Sequence, residues 1–350
     1  MASIFKKKQF WGGLIAAAIL VFLFYDLDLT RTLNVARELD LLYLIPALLS
    51  GAGIIVFKTF RWKTIVSKVR KVLFWPTLCL YATSQLIAVV LPALTGQAGR
   101  VLLFSRKGKF SKTYAFSTIF LEVVLDGAGL IILMMIASSV FVFPEDYRFI
   151  SYIIGVATLF LLILFYFSLR FQKNLENFIH RRIRPRSRKV YLVIRKFIRS
   201  FNDGISVLRS TDKLFSISIN TILAWACNIG AIYFLFFMFN FDLPVWAAVV
   251  VIIVNYLALM VPITPGNLGS FQLAVVASLK MFSVPKTEAV LFSVMLYLVD
   301  MIPMLVMAAF FLFKEHFSIS EISEDEELIE EVEKMVVETD IEIKEEVDRK

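Results

Sequence analysis

Residues 10–313 are a succession of apolar runs separated by short charged stretches: 10–25, 41–57, 72–92, 114–143, 149–169, 214–239, 245–261, 268–282 and 289–313. A bilayer core of about 30 Å takes roughly 20 apolar residues per spanning helix, and several of these runs reach that length. With 59% of the 350 residues hydrophobic and 19% charged, no room is left for a soluble domain beside them. The expected fold class is an all-α polytopic membrane protein. Cys79 and Cys227 both lie inside apolar runs, and the two histidines, His180 and His316, fall in charged segments at membrane boundaries. Neither pair builds a disulfide framework or a zinc site, so no metal and no cofactor are expected. The amino terminus is basic and then apolar without a small-residue cleavage site, which predicts an uncleaved first helix.

Orientation follows from the lysine and arginine bias, because short basic loops stay on the cytoplasmic side. Lys6, Lys7 and Lys8 precede the first run. Lys58, Arg61, Lys63, Lys68, Arg70 and Lys71 follow the second, whereas residues 26–40 between them are net acidic. A third run that crossed would leave Arg100, Arg106, Lys107, Lys109 and Lys112 outside. The economical solution is a re-entrant hairpin over about 72–104 that turns between Pro92 and Gly99; this and the boundaries that follow are read from hydropathy and charge. A second hairpin, over about 245–282 and opening from the outer side, keeps the parity. Irregular backbone at membrane depth is tolerated only where protein or a wet cavity satisfies its peptide groups, so both hairpins imply a polar interior. The expected organisation is a first membrane repeat at 1–143, a second at 144–313 with a basic cytoplasmic segment at 170–213, and an acidic cytoplasmic tail at 314–350. Both termini are expected in the cytoplasm and the protein in the cell membrane.

The two hairpin turns read "LPALTGQAGR" (91–100) and "VPITPGNLGS" (261–270). A shift of 170 positions places Gln85 on Asn255, Pro92 on Pro262, Gly96 on Gly266, Gln97 on Asn267 and Gly99 on Gly269. Two spanning helices precede each hairpin and one follows it. Three crossings is an odd number, so the second unit starts on the opposite side and the units are inverted repeats. Inverted repeats with broken helices meeting near the midplane are a transporter signature. Pro92, Gly96, Gly99, Pro262, Pro265, Gly266 and Gly269 are the break-forming residues of that reading. The bland alternative is a pair of structural kinks, since proline and glycine bend and pack membrane helices without further purpose.

Three carboxylates lie inside apolar runs. Glu122 and Asp126 are four residues apart and share a helical face; Asp300 sits in the last run. A lone charge there costs about 2.5–3.5 kcal/mol on insertion scales, so each must pair, protonate or face water. Arg100 is the obvious cation, and its fork suits phosphate or carboxylate. Either Arg100 receives an anionic headgroup while Glu122 and Asp126 hold it or take up protons, or the three form a staple between the hairpin and its neighbour.

"FRWKTIV" (60–66), "TGQAGRVLLFSRKG" (95–108), "LEVVLDG" (121–127) and "PITPGNLGSFQLAVVASL" (262–279) resemble the successive motifs of the lysylphosphatidylglycerol synthase transmembrane-region, or flippase-like, family. The resemblance covers most of 60–313 and implies an integral membrane protein that moves or helps to make lipids. It carries over to Arg61, Trp62, Gly96, Gly99, Arg100, Glu122, Asp126, Pro265, Gly266 and Gly269. Val123 stands where the family commonly has arginine, and Gln272 where it commonly has glutamate: a compensated pair or a change of substrate. The namesake enzymes carry a soluble aminoacyl-transfer domain after the membrane part, and the 37 residues from Lys314 are too few for one, so lysylphosphatidylglycerol synthesis is not expected.

The expected function is a lipid translocase whose groove is lined by Arg100, Gln97, Glu122, Asp126, Asn267, Gln272 and Asp300, with Arg61, Trp62, Arg106 and Lys107 at the membrane surface. Its partners are membrane lipids with an anionic headgroup, an anionic phospholipid or a lipid-linked isoprenoid phosphate. No nucleic-acid partner is expected, and a homo-oligomer is compatible with the sequence. No nucleotide-binding loop is present, so energy would come from an ion gradient or from consumption of product. The rival is an integral membrane glycosyltransferase using a lipid-phosphate donor, with "DLD" at 26–28 as its aspartates; a scaffold for lipid synthesis is a third class. The tail from Lys314 holds fifteen acids and five bases, against thirteen bases and three acids in 170–213. The two read as a solvated acidic tail and a basic membrane-surface segment, or as a docked pair.

Overall fold

The protein is represented by a computed structural model that describes residues 2–25, 27–67, 69–90, 93–140, 156, 206–259 and 264–315. The described secondary structure is wholly helical: α1 (Ala2–Phe24), α2 (Leu29–Arg37), α3 (Leu44–Val66), α4 (Phe74–Val90), α5 (Ala93–Arg106), α6 (Lys112–Ser138), α7 (Thr211–Met238), α8 (Val245–Leu259), α9 (Ser270–Lys280) and α10 (Lys286–Glu315). Four segments are long and apolar enough to cross a membrane: Leu41–Val66, Lys112–Ser138, Thr211–Met238 and Lys286–Phe310. The apolar helices α4, α8 and α9 are shorter, with 17, 15 and 11 residues. The expected run at 149–169, most of the basic segment 170–213 and the tail beyond residue 315 lie outside the described residues.

Helix α3 continues nine residues past the expected end of its run, carrying Lys58, Arg61, Trp62 and Lys63 into helical structure. Lysine and arginine are good helix formers, and no glycine or proline interrupts the segment. Short polar caps set the ends of other helices. The Ser111 side chain accepts from the Tyr114 backbone N–H at 3.2 Å to start α6, and the Asp28 carboxylate accepts from Thr30 and Arg31 N–H at 2.8 and 3.2 Å to start α2.

The two proline-and-glycine segments differ in conformation. The first was expected to turn between Pro92 and Gly99, but α5 begins at Ala93, and Gly96 and Gly99 are buried within it. In the second, Asn267 N–H donates to the Thr264 carbonyl at 3.1 Å, and Gly266 has φ 67° and ψ 7°. That is a type II turn, with Pro265 at its second position and glycine at its third, where positive φ is required. Asn267 and Gly269 also have positive φ, 56° and 82°. Thr95 stands where Pro265 does, so nothing forces the first segment out of the helix. Pro92 and Pro262 lie outside the described residues.

Lipid tails are as apolar as leucine, so helices inside a membrane associate through close packing and polar bonds rather than by hiding from water. Two apolar clusters result. One joins α7, α8, α9 and the first half of α10 around Phe236, Val250, Ile252, Val275 and Phe292. The other joins α4, α5 and the start of α6 around Trp62, Tyr81, Ile87, Leu103 and Phe104. Helices α3, α6 and α10 enter both: Ala47, Leu130 and Val299 belong to the first cluster, Ile55, Ile119 and Met304 to the second. Of these, α3 and α10 come closest. They meet where a Cβ at Gly51 would lie 2.5 Å from the Val299 carbonyl oxygen. Pro303, four residues on, has no N–H to give that carbonyl. Glycine and proline together thus let the two backbones touch. Gly51→Ala is expected to lower stability by about 1–3 kcal/mol through overpacking. Thermal unfolding in detergent micelles checks this, and an unchanged midpoint would contradict the close approach.

Candidate functional site

Four helices each contribute a pair of polar side chains at helical spacing to one cluster, buried at Arg61, Tyr81, Arg100 and Glu122 and exposed at Gln97: Lys58 and Arg61 from α3, Tyr81 and Gln85 from α4, Gln97 and Arg100 from α5, Glu122 and Asp126 from α6. Residues three or four apart share a helical face, so each helix can turn both members inward. On α6, Glu122 and Asp126 lie about 15 and 21 Å along a helix of about 40 Å, at 1.5 Å per residue. The cluster is therefore far from either end of that helix.

Its bonds divide between the two carboxylates. Asp126 accepts from Lys58 Nζ at 2.9 Å and from Arg61 Nη1 at 2.6 Å. Glu122 accepts from Arg100 Nη2 at 2.9 Å, from Gln85 Nε2 at 3.1 Å and from the Tyr81 hydroxyl. Arg61 Nη2 lies 3.9 Å from Glu122 Oε1, which links the two halves electrostatically. Arg100 Nη1 also donates to the Gln97 side chain at 3.3 Å, and the Arg100 guanidinium sits 5.9 Å from the ring centres of Tyr81 and Phe104. Arg61, Arg100 and Glu122 are 1%, 3% and 4% exposed.

Within the cluster three cations meet two carboxylates, and two guanidinium donors, Arg61 Nη2 and Arg100 Nε, are buried without a hydrogen-bond acceptor. Buried polar groups are nearly always satisfied, and an exception calls for an explanation. A surplus of positive charge beside unused N–H donors is the complement of an oxyanion, and arginine meets carboxylate or phosphate through parallel N–H groups.

The sequence places Arg100, Glu122 and Asp126 here, but Asp126 belongs to Lys58 and Arg61 and not to Arg100. Arg61 and Trp62, expected at the membrane surface, have their side chains buried within the protein. Arg61 is ion-paired, and Trp62 donates to Thr118 Oγ1 at 3.3 Å and stacks on Phe104 at 4.2 Å. The physical reason is the extra length of α3, which carries both inward. Arg106 is exposed and Lys107 half-buried at the end of α5. Lys58, Tyr81 and Gln85 were missed; the signal available was their spacing, matched to that of Glu122 and Asp126.

Other expected site residues lie apart from the cluster. Gln272 accepts from the Gly269 N–H at 2.7 Å and so caps its own helix. Asn267 is half-buried in the second break, whose Gly266 carbonyl accepts from the Tyr297 hydroxyl at 2.9 Å. Gly269 sits against α1, with a Cβ there 3.1 Å from Ile19. Asp300 is half-buried and makes no hydrogen bond or ion pair among the described residues. Of the aspartates of "DLD", Asp28 is engaged as the α2 cap and Asp26 lies outside the described residues. No three potential metal-ligating side chains gather among the described residues.

The family model for the lysylphosphatidylglycerol synthase TM region matches residues 9–308. The chain belongs to this family. The match takes in every member of the cluster and, with the four long apolar helices, shows a multi-pass membrane protein of a family whose name is consistent with a lipid-related function. No curated protein and no solved structure matches the chain.

Breaking one side of a buried ion pair typically costs about 3–5 kcal/mol, because the other charge is stranded, whereas neutralising both sides costs far less. Glu122→Gln in this lysylphosphatidylglycerol synthase TM-region protein is therefore expected to destabilise by about that amount, and Arg100→Met with Glu122→Gln to recover more than half of it. Denaturant unfolding in micelles measures the cycle; additive losses would show that the pair is not coupled.

Proposed function

We propose that this protein is a lipid translocase. It would move the headgroup of an anionic phospholipid or of a lipid-linked isoprenoid phosphate through the interior, while the hydrocarbon chains stay in the bilayer. The observation that carries the reading is the buried ion cluster, with its surplus cation and the two guanidinium donors that have no acceptor. A staple would be expected to use its donors up; this cluster holds some in reserve. In a water-poor interior each charge-assisted bond to an arriving phosphate is stronger than in water, so an anion could be drawn off the surface without leaving a compensated environment.

Two pairs of short helices support the reading, α4 with α5 and α8 with α9, each packed together and each too short to span by the usual measure. In the proposed arrangement they are re-entrant hairpins of two inverted repeats, dipping from opposite leaflets of the cell membrane, with both termini cytoplasmic. Their broken ends would line the path, as in other transporters. The turn at Thr264–Asn267 touches α4 of the first pair, so the two pairs adjoin.

The test is reconstitution of the full chain in liposomes containing headgroup-labelled anionic, zwitterionic and isoprenoid-phosphate lipids, with the label's leaflet followed by quenching. Anionic lipid is expected to cross chemically unchanged. Arg100→Ala should slow it at least tenfold, and Arg100→Lys should fail to restore it, because an ammonium keeps the charge and loses the fork. Equal rates for all three folded proteins, or transfer of a group to or from the lipid, would contradict the translocase.

A further inference from the structure

The connections α3–α4 and α5–α6 bring a basic surface to one end of the bundle. Arg70 Nη1 donates to the Gly108 carbonyl at 3.3 Å, so the two connections touch. Arg70 and Lys71 on the first are exposed, as are Arg106, Lys109 and Lys112 on and beside the second, with Lys107 half-buried among them. No aspartate or glutamate occurs between Asp40 and Glu122, so neither connection carries a counter-charge of its own. The start of α7 reaches the same end, where Ser216 Oγ lies 3.2 Å from Thr64 Oγ1, and its first turn adds Asp212 and Lys213, which cancel. Beside the cations, Val69, Leu73 and Trp75 are each more than half exposed. The face is therefore strongly positive with an apolar strip along it.

The chain's own densest negative charge starts at the edge of this face. Phe310, near the end of α10, packs edge-on against Trp75 at the start of α4, with ring centres 5.6 Å apart, and α10 ends five residues later at Glu315. From there residues 316–350 hold fourteen acids and four bases. Among them Leu328, Val332, Met335 and Val336 recur at the spacing of one helical stripe, with glutamates between. Thirty residues reach about 45 Å even as continuous helix, enough to cross the end of a small bundle.

We propose that this basic face is the docking surface of the chain's own acidic segment, Glu321–Lys350. The same cations would attract the headgroups of anionic lipid. Tethering favours the segment: joined to the chain at the rim of its target, it meets the face at a high effective concentration, and its apolar stripe matches Val69, Leu73 and Trp75 while its glutamates match the arginines and lysines. The inference does not depend on the translocase reading. Arg106 lies six residues beyond Arg100 on α5, so a docked segment would lay negative charge over the end of the helix that delivers Arg100 to the ion cluster, and would keep other anions off it until displaced.

Zero-length crosslinking of the full chain tests this. A carbodiimide that joins carboxylate to amine without a spacer is applied in nanodiscs of zwitterionic lipid, to an equal mixture of 14N- and 15N-labelled protein. Acids of Glu321–Asp348 are expected to link to Lys71 and Lys109 of the same isotope, with a yield that falls at least threefold in about 1 M salt, where the Debye length is about 3 Å. Arg70→Gln with Arg106→Gln, which leaves both lysines in place, should lower the yield at least threefold with an unchanged unfolding midpoint. An amine reagent on the unmodified chain should label Lys71 and Lys109 at least threefold faster in the same high salt, and Lys280, exposed at the end of α9, at an unchanged rate. Links confined to lysines of 170–213, or links only between chains of different isotope, would overturn the inference. So would absence of links, labelling indifferent to salt, or protection of Lys71 and Lys109 that appears only when anionic lipid is added, which would assign the face to the bilayer surface.

Discussion

Two carboxylates in the middle of an apolar helix set the terms for the rest of this molecule. Glu122 and Asp126 need cations, and the cations that reach them come from α3 and α5. To deliver Lys58 and Arg61, α3 must extend beyond its apolar run; to deliver Arg100, α5 must resume helix directly after the first break. Tyr81 and Gln85 complete the ring from α4. The membrane interior makes such an arrangement strict, because a charge without a partner has no water to turn to. Against that strictness, the two unused donors on Arg61 and Arg100 stand out, and the proposed translocase gives them a ligand.

Packing supplies the frame. The two apolar clusters are joined through α3 and α10, whose backbones touch at Gly51 and Val299. Close to that contact on α10, the Tyr297 hydroxyl donates to the Gly266 carbonyl in the turn at Pro265–Asn267. Densely packed interiors switch between discrete arrangements more readily than they deform smoothly, so this junction is a sound place for coupling.

Much of this was legible in the sequence, and the misses have physical causes. Carboxylates inside apolar runs announce themselves, so Glu122, Asp126 and Asp300 were found, and so was Arg100 beside the first break. Lys58 and Arg61 were read as cytoplasmic charges because the positive-inside rule and a helix that buries its cations produce the same residues at the same end. The run at 41–57 is short for a span, and lengthening it would have brought both inward. Glycine types at 96, 99, 266 and 269 could not say which segment leaves the helix. Pro265, with no counterpart in the first segment, was the discriminating residue. Gln272, three residues after Gly269, fits the spacing of a capping side chain and acts as one.

The central claim is that Arg61 and Arg100 offer their free N–H groups to a lipid phosphate inside the membrane. Solid-state NMR on protein with 15N-labelled arginine, reconstituted in anionic phospholipid, measures this through 15N–31P dipolar dephasing. The account predicts dephasing of buried guanidinium nitrogens that disappears in Arg100→Lys with Arg61→Lys. Absence of dephasing at those buried nitrogens in the wild-type protein would contradict it.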